Sequence, residues 1–321
     1  MLPRGSPCTV TSASPFSTTK KPAPPAPSCV TVSPAGKVRS RIDAAIDSSS
    51  LRSSPAKSGT RCRTSIDGVA TARFIPFRET TRVKLTVVGC SPAWPNPGGA
   101  QSGYLVEDDG RLLLDCGPGV LARLREMEGW PRVDAIVITH FHLDHWGDLV
   151  PWTWGAMYGP GRSSNGKPEL WLPPGGTETL RGFGARLGFV DMFDNTFAVR
   201  EYADGEPFAT AGLEVTPRRV PHYDLLTFGL RVSNSAHTLA YSGDSAPSEQ
   251  LVELARGVDV FLCEATLAQQ EPDLRGHLTA EEAVEAFEDS GARRLVVIHR
   301  PHELPLEETL ERAYDGYEIM L

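Results

Sequence analysis

The sequence predicts a mixed α/β domain in which two β-sheets are each covered on the outside by helices. Three observations lead there. Ten short apolar runs of strand length follow one another from Val83 onward. They open as three strands in succession and then alternate with stretches of helical period. No internal repeat of fixed length is present, which sets aside a solenoid or propeller.

The elements are read in order. KLTVVG (84–89), GYLVE (103–107) and RLLLD (111–115) are the opening strands, and a helix is signalled around 118–128. DAIVIT (134–139) precedes a helix at 147–158, and ELWL (169–172) precedes one at 176–187. LEVTPRRV (213–220), TFGLRV (227–232) and TLAYSG (238–243) come next, followed by a helix at 247–256. VDVFLC (258–263), a helix at 279–290 and RLVVIH (294–299) complete the pattern. The 279–290 helix is the best marked. Thr279 and Glu282 form a capping box, Ala280, Ala283, Val284 and Phe287 make the apolar stripe, and Gly291 ends it.

Charge divides the 321 residues unevenly. Residues 1–82 carry 13 Lys/Arg against 4 Asp/Glu, a net of +9, whereas 83–321 carry 19 against 36, a net of −17. So acidic a domain is a poor partner for a long polyanion, because nucleic-acid binding rests on cationic neutralisation of phosphates. The first 82 residues are Ser-, Pro- and base-rich and cannot bury enough apolar surface to fold alone. Three readings stand: a disordered extension, a transit-like segment, or a stretch upstream of a true initiator at Val83. No apolar run approaches the roughly 18–20 residues of a membrane span, and the N-terminus lacks a secretory apolar region. The six cysteines include no CxxC pair, and Cys90, Cys116 and Cys263 each follow an apolar run. They read as buried free thiols in a reducing cytoplasm.

All eight histidines lie at or beyond position 140, and three fall in one hexapeptide, His140-Phe141-His142-Leu143-Asp144-His145. It follows DAIVIT directly, at that strand's C-terminal end. Residues two apart share a face in extended chain, so His140 and His142 can grip one ion. A turn then carries Asp144 and His145 toward a second position. Imidazole nitrogen and carboxylate oxygen are ligands that zinc accepts. Further ligands must come from elsewhere, and His222, Asp244 and His299 each close an apolar strand. Taken alone, Asp244 could cap a helix before Pro247, and the two histidines could be hydrogen-bonded loop residues.

HFHLDH resembles the HxHxDH signature of the metallo-β-lactamase-fold hydrolases. The order HFHLDH, VPH…FGLRV, YSGDS, GHLTAEEA, VVIHRP resembles the short-form ribonuclease Z-like branch and its bacterial cyclic-nucleotide phosphodiesterase relatives. The resemblance covers roughly residues 83–310 and implies an αββα sandwich with a two-zinc site on one edge. It places His140, His142 and His222 on the first zinc, Asp144, His145 and His299 on the second, and Asp244 between them; Mn2+ is the alternative ion. Asp115 matches an aspartate that orients a ligand histidine, and His277 matches a proton-donating histidine. His277 precedes the 279–290 helix, whose free N–H groups would favour a phosphate oxygen. The resemblance also implies a homodimer, for which no interface is legible.

The implied reaction is phosphodiester hydrolysis by a hydroxide activated between two metal ions, with Asp144 steering its proton and His277 protonating the leaving alkoxide. No GHTPG-like phrase of the glyoxalase type is present. Transfer-RNA-processing members carry a long arm between the motifs matching His222 and Asp244, where this chain has only 21 residues. A small diester such as a cyclic nucleotide is therefore the expected substrate, and tRNA 3′-end processing the runner-up. Another ester class on the same fold is the further alternative. A relative that binds without turnover would be expected to lack a ligand or the acid, and this chain keeps all eight residues. Trp146, Val150, Trp154 and Tyr158 follow helical spacing and read as core, which leaves Trp152 as the base-stacking candidate. Arg231 could meet phosphate or solvent, and His237 and His302 read as surface residues.

Overall fold

Strands that are apolar on both faces have to be buried between two apolar layers, and that requirement sets the architecture. The computed structural model describes residues 82–163 and 166–321. The extension expected over 1–82 falls, apart from Arg82, outside the described residues, as do Cys8, Cys29 and Cys62.

The first sheet contains β1 (Lys84–Gly89), β2 (Gly103–Glu107), β3 (Arg111–Leu114), β4 (Ala135–Val137), β5 (Glu169–Leu172) and β6 (Ala198–Glu201). The second contains β7 (Phe208–Thr210), β8 (Leu213–Val220), β9 (Thr227–Ser233), β10 (Thr238–Tyr241), β11 (Val260–Glu264) and β12 (Leu295–Ile298). The last strand, β13 (Glu318–Met320), returns to the first sheet, giving the orders β13-β1-β2-β3-β4-β5-β6 and β12-β11-β10-β9-β8-β7. Each sheet begins with antiparallel pairs and ends with parallel ones, β3 through β6 and β10 through β12.

Side-chain alternation fills three layers. Tyr104, Val106, Leu112, Leu114, Ala135 and Val137 meet Leu239, Tyr241, Val260, Leu262, Val296 and Ile298 between the sheets. The intervening residues Leu105, Leu113 and Ile136 face outward onto α1 (Val120–Met127), α3 (Leu149–Tyr158), α4 (Gly176–Arg186) and α5 (Met192–Thr196). Ala240, Phe261, Cys263, Leu295 and Val297 face α6 (Glu249–Leu254) and α7 (Ala280–Ser290). The arrangement is the expected αββα sandwich. Cys90, Cys116 and Cys263 are buried free thiols, and no helix of the described residues is long and apolar enough to cross a membrane.

All ten expected strands are present. The short edge strands β6, β7 and β13, and the helices α2 (Leu143–Trp146) and α5, had no legible signal because each is only three to five residues long, too short for a periodic pattern. The 21 residues between His222 and Asp244 form the β9–β10 hairpin. Its turn is closed by Asn234, whose side-chain oxygen accepts from the N–H groups of Ala236 and His237.

Two expectations on the aromatics are corrected. Trp152 is 1% exposed, packed edge-on against Trp130 and beside Phe197, so it cannot reach a substrate. Tyr158, placed in the core by helical spacing, is 67% exposed. Arg231 is half-buried; it donates to the carbonyls of Leu254 and Arg256 and ties β9 to the end of α6. Replacing Leu112, fully buried between the sheets, with alanine should cost about 2–5 kcal/mol. A urea titration would show this as a lower midpoint at unchanged slope.

Candidate metal centre

Parallel strands send their C-terminal ends to one edge, where open α/β sheets collect their functional groups. Asp115 follows β3, His140 to His145 follow β4, Asp244 follows β10, Glu264 ends β11 and His299 follows β12. His222 leaves the end of the antiparallel β8 and joins them.

Two groups of ligand atoms result. His140, His142, His222 and Asp244 come together in one, and Asp144, His145, Asp244 and His299 in the other, with the ligand atoms of each within 4.8 Å of one another. Asp244 belongs to both. Its Oδ2 lies 3.8 Å from His140 Nε2 and 3.9 Å from His222 Nε2, while Oδ1 lies 3.3 Å from His145 Nε2 and 3.7 Å from His299 Nε2. Asp144 Oδ2 is 3.2 Å from His299 Nε2 and 3.4 Å from His145 Nε2. His237 and His302 lie apart, beside Asp259 and Glu303.

The opposite edges of the rings are anchored. His145 Nδ1 lies 2.6 Å from Asp115 Oδ2, and the carboxylate also accepts from Tyr241 Oη and from the N–H and hydroxyl of Thr139. His140 Nδ1 lies 3.1 Å from Thr139 Oγ1, His299 Nδ1 2.9 Å from Thr266 Oγ1, and His222 Nδ1 2.6 Å from the carbonyl of Gly276. Each anchor turns an Nε2 toward the centre, as supporting hydrogen bonds do for metal-binding histidines. Asp115 and His299 sit at φ 58° and 51°, the left-handed region that non-glycine residues adopt at a cost. Gly117 is obligatory nearby, since a Cβ there would lie 1.9 Å from the carbonyl oxygen of Asp144.

The donor set fits a divalent cation. His140 Nε2, His145 Nε2 and Asp244 Oδ1 are buried with no hydrogen-bond partner and face the same space, a costly arrangement unless a positive charge is shared. Imidazole and carboxylate without thiolate suit zinc or a neighbouring borderline ion. Burial pushes the His140 imidazolium well down, which keeps the ring neutral and able to ligate. Burial opposes the Asp144 carboxylate, but hydrogen bonds from His145 and His299 outweigh it and hold the group well below the usual carboxylate range. Burial also opposes protonated His145, and there the carboxylates of Asp244 and Asp115 prevail and raise it.

His277 stands beside this cluster, its Nδ1 4.0 Å from Asp244 Oδ2 and 2.8 Å from Glu264 Oε1. Burial would lower it, but the Glu264 carboxylate pushes it up to about 9. Glu264 is fully buried and also accepts from Ser245 N, Thr266 N and Thr266 Oγ1. The sequence reading missed Glu264, Thr139 and Thr266. A carboxylate ending the run VDVFLCE was the one available sign of Glu264. One expectation changes here. The α7 capping box is present, with Thr279 N donating to Glu282 Oε2 and Glu282 N to Thr279 Oγ1, so those two amides are not available to a phosphate. Arg275 grips Glu282 through both Nη atoms, which fixes the Gly276-His277 segment to the helix.

A beta-lactamase superfamily domain model matches residues 110–300. An uncharacterized protein of Mycobacterium tuberculosis is 37% identical over 262 residues, covering 76% of this chain and 93% of its own length. The "Probable metallo-hydrolase YhfI" of Bacillus subtilis is 28% identical, covering 68% and 88%. Its crystal structure superimposes with a TM-score of 0.65 at 22% identity, covering 74% of this chain and 99% of that one. Human tRNase Z, short form, gives 0.56 at 21% identity, covering 74% and 98%, and shares the fold.

Replacing Asp115 with asparagine removes the charged acceptor of His145. The affinity for an added divalent ion should fall about 10–100-fold, read by competition against a chromophoric chelator, with the far-UV circular dichroism unchanged.

Proposed function

We propose, from the premise that the chain belongs to the beta-lactamase superfamily, that it is a zinc-dependent phosphodiesterase of small substrates such as cyclic nucleotides. The observation that carries this reading is Asp244, whose two carboxylate oxygens each face a separate group of ligands. His140, His142 and His222 would hold one ion, and Asp144, His145 and His299 the other. Bound there, two divalent ions supply Lewis acidity toward a phosphoryl oxygen and ease deprotonation of water near neutral pH.

The chain's own residues complete the chemistry. Asp144 stays ionised and, with Oδ2 turned to the ligand histidines, has its other oxygen left to steer a water's proton. His277 holds a proton on Nδ1 against Glu264, and Nε2, across the ring, is the donor for a departing alkoxide. Thr266 binds both Glu264 and His299, so the proton donor and a ligand are positioned by one hydroxyl. A small substrate is supported by the acidic balance of 83–321 and by the hairpin that occupies the interval between His222 and Asp244. Ribonuclease Z of Mycobacterium bovis, 26% identical over 243 residues, keeps tRNA 3′-end processing as the second reading.

The deciding assay compares the zinc-loaded chain on 3′,5′-cyclic AMP and on a 3′-extended tRNA precursor. Turnover of the cyclic nucleotide with little tRNA trimming is expected; efficient trimming would install the second reading instead. His277→Ala should retain its zinc while losing about 10²–10⁴-fold in turnover. Wild-type rates in that variant would remove His277 from the reaction.

A further inference from the structure

A cavity of about 500 Å³ opens beside the centre, with His277 and His299 in its wall. The rest of the lining is largely apolar and includes Trp94, Tyr223, Leu267 and Leu304. Cleavage of a phosphate ester requires none of these four side chains. Trp94 is 53% exposed and Tyr223 38%, so packing of the core does not account for them either.

The Tyr223 ring and the backbone around Trp94 are held in place. Trp94 lies in the stretch 91–99, stiffened by Pro92, Pro95 and Pro97. On one side of it, Gln101 Nε2 donates to the carbonyls of Pro92 and Ala93. On the other, Asn96 donates to the carbonyl of Arg300 and accepts from His302 N. The backbone on either side of Trp94 is therefore tied down, on one side to the loop that carries His299. Tyr223 has φ 48°, its hydroxyl donates to Glu271 at 2.6 Å, and its N–H donates to the Arg275 carbonyl. Its ring lies 4.9 Å from that of His222 and 5.7 Å from that of His277. A Cβ at Gly276 would come within 2.2 Å of the Tyr223 ring, so the glycine makes room for it. Strained backbone that presents an exposed aromatic at a site is a mark of function.

We propose that this cavity receives the nucleobase of the substrate, with Trp94 and Tyr223 as the specificity-determining walls; the assignment rests on the phosphodiesterase reading above. A base has a flat π-face that stacks on aromatic side chains. The cavity has the volume of an ordinary small-molecule site. The Tyr223 ring, anchored beforehand through its hydroxyl, loses little freedom on binding. Glu303, which pairs with His302, also lines the cavity and offers an acceptor to the exocyclic amino group that adenine, guanine and cytosine carry; adenine serves as the test base.

The test reads binding and turnover separately, on the zinc-loaded full chain. By calorimetry, AMP should bind at least about 10-fold more tightly than ribose 5-phosphate. Trp94→Ala should weaken AMP about 10-fold and leave ribose 5-phosphate unchanged, with Trp94→Phe restoring most of the loss. In turnover, Trp94→Ala should raise KM for 3′,5′-cyclic AMP about 10-fold at nearly constant kcat. Equal wild-type affinity for the two ligands, or a Trp94→Ala variant that weakens both alike, would overturn the assignment. Base-dependent binding without hydrolysis of any diester would support the pocket and remove the phosphodiesterase reading. Equal kcat/KM on cyclic AMP and its abasic analogue would remove the pocket and leave that reading standing.

Discussion

Asp115, Asp144, Asp244 and Glu264 bring four carboxylates into the interior at one edge of the sandwich. Negative charge in such a place is costly unless it is paired and hydrogen-bonded, and most of the local structure answers that constraint. Asp115 is met by His145, Tyr241 and Thr139, and Glu264 by His277, Thr266 and Ser245. Asp144 and Asp244 are left facing imidazole nitrogens across gaps that a cation suits. The strand ends, the two left-handed residues and the close approach at Gly117 all serve to bring these groups together.

Much of this was legible in the sequence, for a physical reason. Ligand residues in a parallel sheet sit where an apolar run stops, so a polar residue after DAIVIT, LAYSG or RLVVI stands out against its neighbours. The hexapeptide places four such groups in six positions. Strands buried on both faces were equally visible as unbroken apolar runs.

What stayed hidden was what only the folded chain assembles. Thr139 and Thr266 act through one hydroxyl each, and nothing around them marks a threonine that holds a histidine. Trp94 and Tyr223 come from loops 129 positions apart and share no spacing. Trp152 misled because α3 is apolar on most sides, and the face it buries, with Leu149, Trp152 and Thr153, is not the stripe that ends at exposed Tyr158. Trp130 and Phe197 close over the side of α3 that helical spacing assigned to solvent. Periodicity reports amphipathicity, and this helix has little of it to report.

The division of ligands between the sheets has a consequence for how the protein assembles. Each four-membered group takes two residues from the segment after β4, in the first sheet, and two from the ends of strands in the second. Neither half could therefore grip an ion well until the two have condensed, and a bound ion would act as a clasp across the seam between them. An ion that binds this folded arrangement and not the open chain draws the equilibrium toward the closed sandwich by mass action. For such an ion, loading and the final docking of the two halves would be one thermodynamic event, and withholding it would loosen the seam.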